Sequence, residues 1–406
     1  MAGQETRAPF AALGGKDPAK LFAKLPTPAY VLDEAQLRRN GKIISGTAQR
    51  TGAKFLLAQK AFSNYDLYPL LSPYLTGTEA SGLFEARLGA ENMPGKEVHV
   101  YCAAYREQDF DELLGYADHV VFNSPQQLKK FGDAAKKAGK FVGLRINPEC
   151  STQAGHEIYD PCASGSRLGT TRQQWDSEMT DESCALLDGL HFHTLCEQDS
   201  DALEITLNAV EEKFGNVLPR MKWLNFGGGH HVTRPGYNIP RLERCIEYAQ
   251  EKWNVDVYLE PGEAWALNAG YLVARVLDLP KNGKTQSAIL DMSAACHTPD
   301  VIEMPYRPPL YGAGEAEEKA FSYRLGGPTC LTGDIIGDYS FDEPLKEGQL
   351  LTFGDMAIYT TCKNNTFNGM PLPDIWLLTE LGELRRLTDF GYQDFKSRLG
   401  SKKTLD

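Results

Sequence analysis

Eight short apolar runs alternate with amphipathic stretches between about residue 53 and about residue 262, and this alternation restricts the fold more than any other feature. Buried parallel strands appear in a sequence as continuous apolar runs of this length. Eight strand–helix units in about 210 residues predict an α/β fold, a (β/α)₈ TIM-like barrel. The runs are Ala53–Gln59, a weak one at Thr76–Ser81, Val98–Ala103, His119–Asn123, Phe141–Asn147, Leu190–Leu195, Trp223–Phe226 and Val255–Glu260.

The segments between the runs carry helix signals. Ser124 is suited to an N-cap and Pro125 to the first helical position of a helix over Pro125–Ala138. Asp201–Phe214 and Ile239–Trp253 have apolar residues at helical spacing. Because the second apolar run is weak, a doubly wound sheet is the structural alternative.

The pattern changes after about residue 275, where strand-like runs are separated by turns rich in Pro and Gly. This change predicts a C-terminal mostly β domain that includes an N-terminal strand at Ala29–Asp33. We expect a barrel over 45–275, a β domain formed by 25–44 with 276–406, and a flexible extension over 1–24. The runs of the second part are Leu272–Leu279, Ser287–Met292, Gln349–Phe353 and Ile375–Thr379.

Composition excludes several classes of protein. The longest apolar run is shorter than the roughly 18–20 residues of a membrane span, so we expect no membrane segment. A net charge of −12 argues against nucleic acid, which requires a basic surface, and is compatible with a cationic small substrate. The nine cysteines form no Cys-x-x-Cys pair, which predicts a reducing, cytoplasmic location rather than a disulfide framework or a zinc ribbon.

Four features that could take part in catalysis lie at the ends of the apolar runs, where barrels carry their active sites: Lys60, His193, the glycines at 227–229 and Glu260. Lys60 directly follows the first run, where partial desolvation favours Schiff-base chemistry; a lysine that reaches to water is the alternative. The glycines at 227–229 could direct backbone N–H groups at a phosphate or form a turn without a ligand. Glu260 could hold a proton on a pyridine nitrogen or could be structural.

His191 and His193 flank Phe192 and therefore share one face of a strand. No third ligand stands at a recognisable zinc spacing, so we expect no metal and place His193 against a planar cofactor instead. Far downstream, a loop from Gly326 to Asp334 presents Cys330 between Gly and Pro residues, as suits a reactive thiol. A small buried hydrophobic cysteine is the ordinary alternative.

Together these motifs resemble the fold-type III pyridoxal-phosphate decarboxylases, the alanine racemase-like family that includes ornithine and diaminopimelate decarboxylases. The resemblance runs from about residue 27 to about residue 380. It implies that Lys60 forms an aldimine with pyridoxal 5'-phosphate, that Glu260 pairs with the pyridine nitrogen and that His193 stacks on the ring. Gly227, Gly228 and Gly229 would then cradle the phosphate.

Two residues of the second domain also match the family. Tyr359, in Asp355-Met356-Ala357-Ile358-Tyr359-Thr360, is similar to the tyrosine beside the cofactor phosphate. Cys330 is similar to the thiol that the family delivers across a dimer interface, where it protonates Cα. The resemblance therefore implies a homodimer with shared active sites.

Two positions depart from the better-known relatives. Those relatives have an arginine that helps to bind phosphate where this chain has Glu263, which repels an anion. They also have an acid after the cysteine, where this chain has Leu331. A short substrate would lose the partner of its distal amine there, so the expected substrate is a longer, cationic carboxylated polyamine, with Asp334 as a candidate amine contact.

Two alternatives stay open. Arg307 resembles the arginine that binds a second carboxylate in diaminopimelate decarboxylase, so that activity, or decarboxylation of another basic amino acid, is the second interpretation. A decarboxylase-like binding protein without catalysis is the alternative from a different class. The presence of both Lys60 and Cys330 disfavours it.

Overall fold

The structure is a computed structural model that describes residues 8–153, 160–283 and 285–401. Within those ranges no helix is both long enough and apolar enough to cross a bilayer. The chain divides into two units, one made of the residues from Arg38 to Trp265 and the other made of those up to Leu37 and from Ala266 onward.

The strands of the described residues are numbered in chain order. They are β1 (Ala29–Asp33), β2 (Lys54–Ala58), β3 (Gly77–Ala80), β4 (Glu97–Tyr101), β5 (His119–Phe122), β6 (Phe141–Arg145), β7 (Gly189–His191), β8 (Trp223–Asn225), β9 (Asp256–Leu259), β10 (Gly270–Asp278), β11 (Lys281–Asn282), β12 (Thr285–Leu290), β13 (Phe321–Gly326), β14 (Ile335–Phe341), β15 (Leu350–Gly354), β16 (Asp374–Leu378) and β17 (Leu384–Thr388).

The α-helices are numbered in the same way. They are α1 (Pro18–Leu21), α2 (Glu34–Thr51), α3 (Tyr68–Leu71), α4 (Leu83–Asn92), α5 (Glu107–Leu114), α6 (Pro125–Lys137), α7 (Arg172–Glu178), α8 (Asp181–Ala185), α9 (Ser200–Phe214), α10 (Ile239–Trp253), α11 (Glu263–Ala266), α12 (Ala294–His297), α13 (Asp300–Glu303) and α14 (Tyr392–Ser397). Short 3-10 turns lie at Ala8–Leu13, Tyr65–Leu67, Ser72–Tyr74, Leu218–Arg220 and Phe367–Gly369.

Strands β2 to β9 form a closed barrel in which each strand pairs in parallel with the next and β9 returns to β2. This arrangement confirms the predicted TIM-like barrel and excludes the doubly wound sheet. Each of the eight apolar runs overlaps one barrel strand, and the weak second run contributes β3.

Local capping explains where the barrel helices begin and end. Ser124 accepts a hydrogen bond from the Gln127 amide at 3.3 Å, and Pro125 occupies the first turn of α6, where its missing N–H is not needed. Asn238 caps α10 through the amide of Arg241 at 3.1 Å. The first contact confirms the predicted start of α6, and the helix predicted from spacing over Ile239–Trp253 is confirmed as α10, with a cap that was not predicted.

A tryptophan fills the barrel interior between two glycines. A Cβ at Gly143 would lie 2.3 Å from the Trp223 ring, and one at Gly189 would lie 2.0 Å from it. Leu56 and Tyr258 pack against the same ring. Only glycine leaves room for this indole, so the two glycines allow an otherwise oversized residue inside the barrel.

The second unit is built on a mixed sheet with the strand order β14-β13-β12-β10-β1-β16-β17, to which β11 and β15 add by pairing with β12 and β10. The N-terminal strand β1 pairs antiparallel with β10 and parallel with β16. The prediction that Ala29–Asp33 joins the mostly β domain is therefore confirmed.

Part of the N-terminal segment differs from the flexible extension expected over 1–24. Leu13 and Phe22 are buried and pack with Val31 and Tyr271 in the core of the second unit. Burial of these two apolar side chains stabilises the folded form of this segment. The sequence around them did not predict that burial. Residues 1–7 lie outside the described residues.

Candidate active site

The carboxyl ends of the barrel strands bring together several residues that are far apart in the sequence. The register places Arg145 of β6 beside His191 of β7, and His191 beside Asn225 of β8. Glu260 follows β9 directly, and Lys60 lies two residues beyond β2. Because the barrel is closed and parallel, all of these side chains belong to one end of it.

Glu260 is buried and accepts two side-chain hydrogen bonds. Its carboxylate is 5% exposed and accepts hydrogen bonds from His191 Nε2 at 3.0 Å and from Asn225 Nδ2 at 2.6 Å. Burial alone would raise the pKa of Glu260, but His191 and Asn225 lower it below its ordinary value. Burial lowers the pKa of His191 more than the carboxylate raises it, so a neutral imidazole donates to an ionised Glu260.

His193 is held at the loop that contains the three glycines. Its Nδ1 lies 3.1 Å from both the nitrogen and the oxygen of Gly228, and Arg145 donates to its carbonyl at 3.0 Å. Burial lowers the pKa of His193 well below its ordinary value, and the charges of Lys60 and Arg145 lower it further. The side chain is therefore a neutral, flat ring fixed beside the glycine loop.

The glycine loop needs its glycines for close backbone approach. Gly227 and Gly229 have φ angles of 71° and 81°, and a Cβ at Gly229 would lie 2.0 Å from the Leu195 carbonyl. The amide of Glu260 donates to the Gly227 carbonyl at 2.8 Å. These groups fit pyridoxal phosphate. The glycine backbone suits its phosphate, the neutral ring of His193 suits the face of its pyridine ring, and the ionised Glu260 suits its ring nitrogen.

Three residues of this end of the barrel were not predicted from the sequence: Glu79, Tyr101 and Arg145. Burial raises the pKa of Glu79 well above its ordinary value, and the charge of Glu260 raises it further against the opposing charges of Lys60 and Arg145, which favours the protonated form of Glu79 beside the ionised Glu260. The Arg145 guanidinium lies 4.7 Å from the Tyr101 ring, which stacks on His191 at 5.4 Å. The available signal was a charged residue inside an otherwise apolar run, which applies to Glu79 and Arg145.

In the second unit, Cys330 lies on an exposed loop after β13. Its amide donates to Asn368 Oδ1 at 2.8 Å, and Asn368 has a left-handed φ of 58°. Leu331, beside the thiol, is 43% exposed. Asn368 thus joins the Thr366–Gly369 segment to the loop and fixes the backbone at the cysteine.

Asp334 is held by donors of its own unit, and its expected contact with a substrate amine stays a prediction. It is 2% exposed and accepts from Ser293 Oγ at 2.9 Å, from Thr329 Oγ1 at 2.7 Å and from the Ala295 amide at 3.2 Å. These three donors take up most of the acceptor capacity of the carboxylate, which disfavours a further contact with an amine. Asp334 instead holds the loop that carries Cys330.

Arg307 and Tyr359 belong to the same unit. The Arg307 guanidinium pairs with Glu315 and lies 4.7 Å from the Tyr339 ring, so it has partners within its own unit. Tyr359 has a left-handed φ of 49°, which a bulky residue adopts only when its surroundings hold it there. The roles expected of these two residues toward substrate and cofactor stay predictions.

Comparison with known proteins agrees with the geometry. Residues 29–357 match the family model described as "Pyridoxal-dependent decarboxylase, C-terminal sheet domain". The carboxynorspermidine/carboxyspermidine decarboxylase of Campylobacter jejuni is 42% identical over 93% of this chain and 99% of its own length. The carboxyaminopropylagmatine decarboxylase of Synechocystis is 41% identical over 93% of this chain and 97% of its own length.

A solved structure shows the same likeness in three dimensions. The crystal structure of carboxynorspermidine decarboxylase from Campylobacter jejuni, complexed with norspermidine, superimposes with a TM-score of 0.84 and 40% identity. The match covers 92% of this chain and 100% of that chain. The similarity therefore extends across both units of the chain.

Proposed function

This chain belongs to the pyridoxal-dependent decarboxylases, and we propose that it decarboxylates carboxynorspermidine to norspermidine, carboxyspermidine to spermidine, or both, in polyamine biosynthesis. The observation that carries the proposal is the 42% identity to the Campylobacter jejuni enzyme over 99% of that enzyme. This chain is a carboxy-lyase that uses pyridoxal 5'-phosphate.

When bound, pyridoxal phosphate supplies an electron-poor ring that accepts the electron pair released as CO₂ departs. In our proposal Lys60 attaches it, His193 lies against the ring, and Gly227, Gly228 and Gly229 hold the phosphate together with Tyr359. Glu260 keeps a proton on the ring nitrogen, which its ionised state and its two donors support.

The proton that replaces CO₂ would come from Cys330 of the partner subunit. This step supports a homodimer with shared sites, and the exposed Cys330 loop is suited to it. Asp334 and Asn368 hold that loop by accepting hydrogen bonds from Thr329 and from the Cys330 amide. Leu331 leaves an apolar surface beside the thiol, which favours a substrate whose next positive charge lies farther away.

We propose two functional parts, a cofactor-binding part over 45–275 and a part formed by 25–44 with 276–406 that carries Cys330 and Tyr359. We also propose a cytoplasmic location, which the nine free cysteines support. Arg307 is a further candidate for substrate contact, although Glu315 already pairs with it.

Release of CO₂ from a panel of substrates tests the activity. We expect carboxynorspermidine and carboxyspermidine to react with the highest kcat/KM, and diaminopimelate and ornithine to react at least 100-fold more slowly, since a misplaced amine or carboxylate would be buried without a partner. Carboxyaminopropylagmatine belongs in the panel because the Synechocystis relative is almost equally similar. Faster turnover of ornithine or diaminopimelate would contradict the proposed substrate.

Mixing two inactive variants tests the shared site. Lys60→Ala and Cys330→Ala chains, combined and allowed to exchange, should recover about a quarter of wild-type activity, because half of the random dimers contain one intact site. Cys184→Ala, which removes a cysteine on α8, is the matched control and should keep full activity. Full activity of Cys330→Ala alone, or failure of the mixture to recover, would count against the interfacial thiol.

A further inference from the structure

The loops after β8 and β9 are joined beside the glycines by contacts that the proposed reaction does not use. Thr233 Oγ1 donates to the Ala264 carbonyl at 2.7 Å, and His231 Nε2 lies 2.5 Å from Glu263 Oε2. Glu263 is the first residue of α11 and directly follows the turn after Glu260. A carboxylate is therefore held next to a loop suited to an anion, which would be unfavourable without a neutralising partner.

His231 is that partner. The residue is 7% exposed, and its Nδ1 has no hydrogen-bond partner among the described residues. Burial alone would lower the pKa of His231, but the hydrogen bond and the charge of Glu263, with a smaller contribution from Glu197, raise it above its ordinary value against the opposing charge of Arg234. The raised pKa favours the protonated imidazole, and because Nε2 is engaged by Glu263, Nδ1–H is the donor that a ligand could use.

We propose that His231, oriented by Glu263, donates a hydrogen bond from Nδ1 to the phosphate of the bound cofactor. The inference rests on the proposed role of the glycine run as the phosphate cradle, since His231 lies two residues after Gly229 in the same loop. A donor that carries a positive charge forms a stronger hydrogen bond to phosphate than a neutral one. Glu263 is a positioning residue in this arrangement, because it acts through His231.

Affinity for the cofactor with and without its phosphate tests the contact. The full-length chain, freed of cofactor, is titrated with pyridoxal phosphate and with pyridoxal, which lacks the phosphate. His231→Gln removes the cationic donor and should weaken pyridoxal phosphate about 10- to 100-fold, the usual loss for a hydrogen bond to a charged group. Binding of pyridoxal should change less than about twofold, because it has no phosphate to lose.

Glu263→Gln tests the positioning role without removing the imidazole. The amide still accepts or donates a hydrogen bond, but burial is no longer offset by a negative charge, so the pKa of His231 should fall and the residue should lose its proton at a lower pH than in the wild type. Affinity for pyridoxal phosphate should then begin to fall at a lower pH in the variant than in the wild type. Pyridoxal should show no such difference.

A matched control lies at the opposite end of the barrel, where Glu97 hydrogen-bonds His99 at 2.8 Å. Glu97→Gln disturbs an equivalent pair and should leave the preference for pyridoxal phosphate over pyridoxal unchanged. Equal losses of both ligands in His231→Gln, or no loss of either, would overturn the proposal. Because the readout is binding, it remains informative even if the substrate assignment fails.

Discussion

The two ends of the barrel use the same kinds of residue in different ways. At the carboxyl end of the strands, Glu260 is 5% exposed and has His191 and Asn225 as donors. At the amino end, the Glu97 side chain is 33% exposed and accepts from His99 at 2.8 Å. A histidine–glutamate pair is thus preorganised and dry at one end and partly solvated at the other.

The surroundings explain the difference. At the amino end, Lys54 pairs with Asp256 at 3.0 Å and with the Tyr258 hydroxyl at 2.9 Å, and His99 stacks on His119 at 3.8 Å. These contacts complete the packing of the barrel. At the carboxyl end, loops after the strands add backbone donors and further side chains, so the ionised group stays in a fixed, water-poor position where it can act on a bound ring.

The largest difference between the two ends should appear with the lysines that flank β2. Lys60→Ala should abolish the absorption band of the lysine-bound cofactor near the visible edge and lower kcat by more than about 1,000-fold, because the covalent attachment is lost. Lys54→Ala, six residues earlier at the amino end, should keep the band and most of the activity. An unchanged spectrum in Lys60→Ala would disprove its role.

The carboxylates should differ by a smaller factor. Glu260→Gln removes the charge that supports a protonated ring nitrogen and should lower kcat about 100-fold, the usual effect of deleting one preorganised charged contact. Glu97→Gln should leave kcat within about twofold. Equal losses in steady-state assays of the two variants would show that Glu260 acts only through stability.

The smallest effect should be on stability against acid. Burial, with the charges of His99 and Lys54, lowers the pKa of His119 from 6.5 to about 2. As pH falls from 7.5 to 5.5, His119 becomes protonated in the unfolded chain but stays neutral in the folded barrel. The free energy of unfolding of the wild type should therefore fall by about 1 kcal/mol through this residue. Urea unfolding of His119→Gln should show a shallower decline, and identical pH slopes would contradict the assignment.

Much of the fold followed from local patterns. The eight apolar runs and the strand at Ala29–Asp33 were visible because burial and strand formation act on neighbouring residues. Lys60, His193 and Glu260 stood out because an unusual residue at a strand end is a local signal as well. The partners of these residues were not visible, since they depend on register between strands.

The burial of Asp334 shows the same limit. Its donors Ser293 and Ala295 lie about forty positions earlier in the chain. From the sequence alone, Asp334 was an acid near a reactive cysteine and therefore a candidate for an amine. Only the folded sheet shows that its oxygens are already engaged.

Local patterns along the chain were enough to predict a (β/α)₈ barrel, a second, mostly β domain, and the order of the residues that match pyridoxal-dependent decarboxylases. Only the folded chain shows which groups meet each carboxylate: His191 at Glu260, His231 at Glu263, and the loop donors at Asp334. The reason is physical. Periodicity reports on burial along the chain, whereas an electrostatic partner depends on a distance of a few ångströms between segments that meet only on folding.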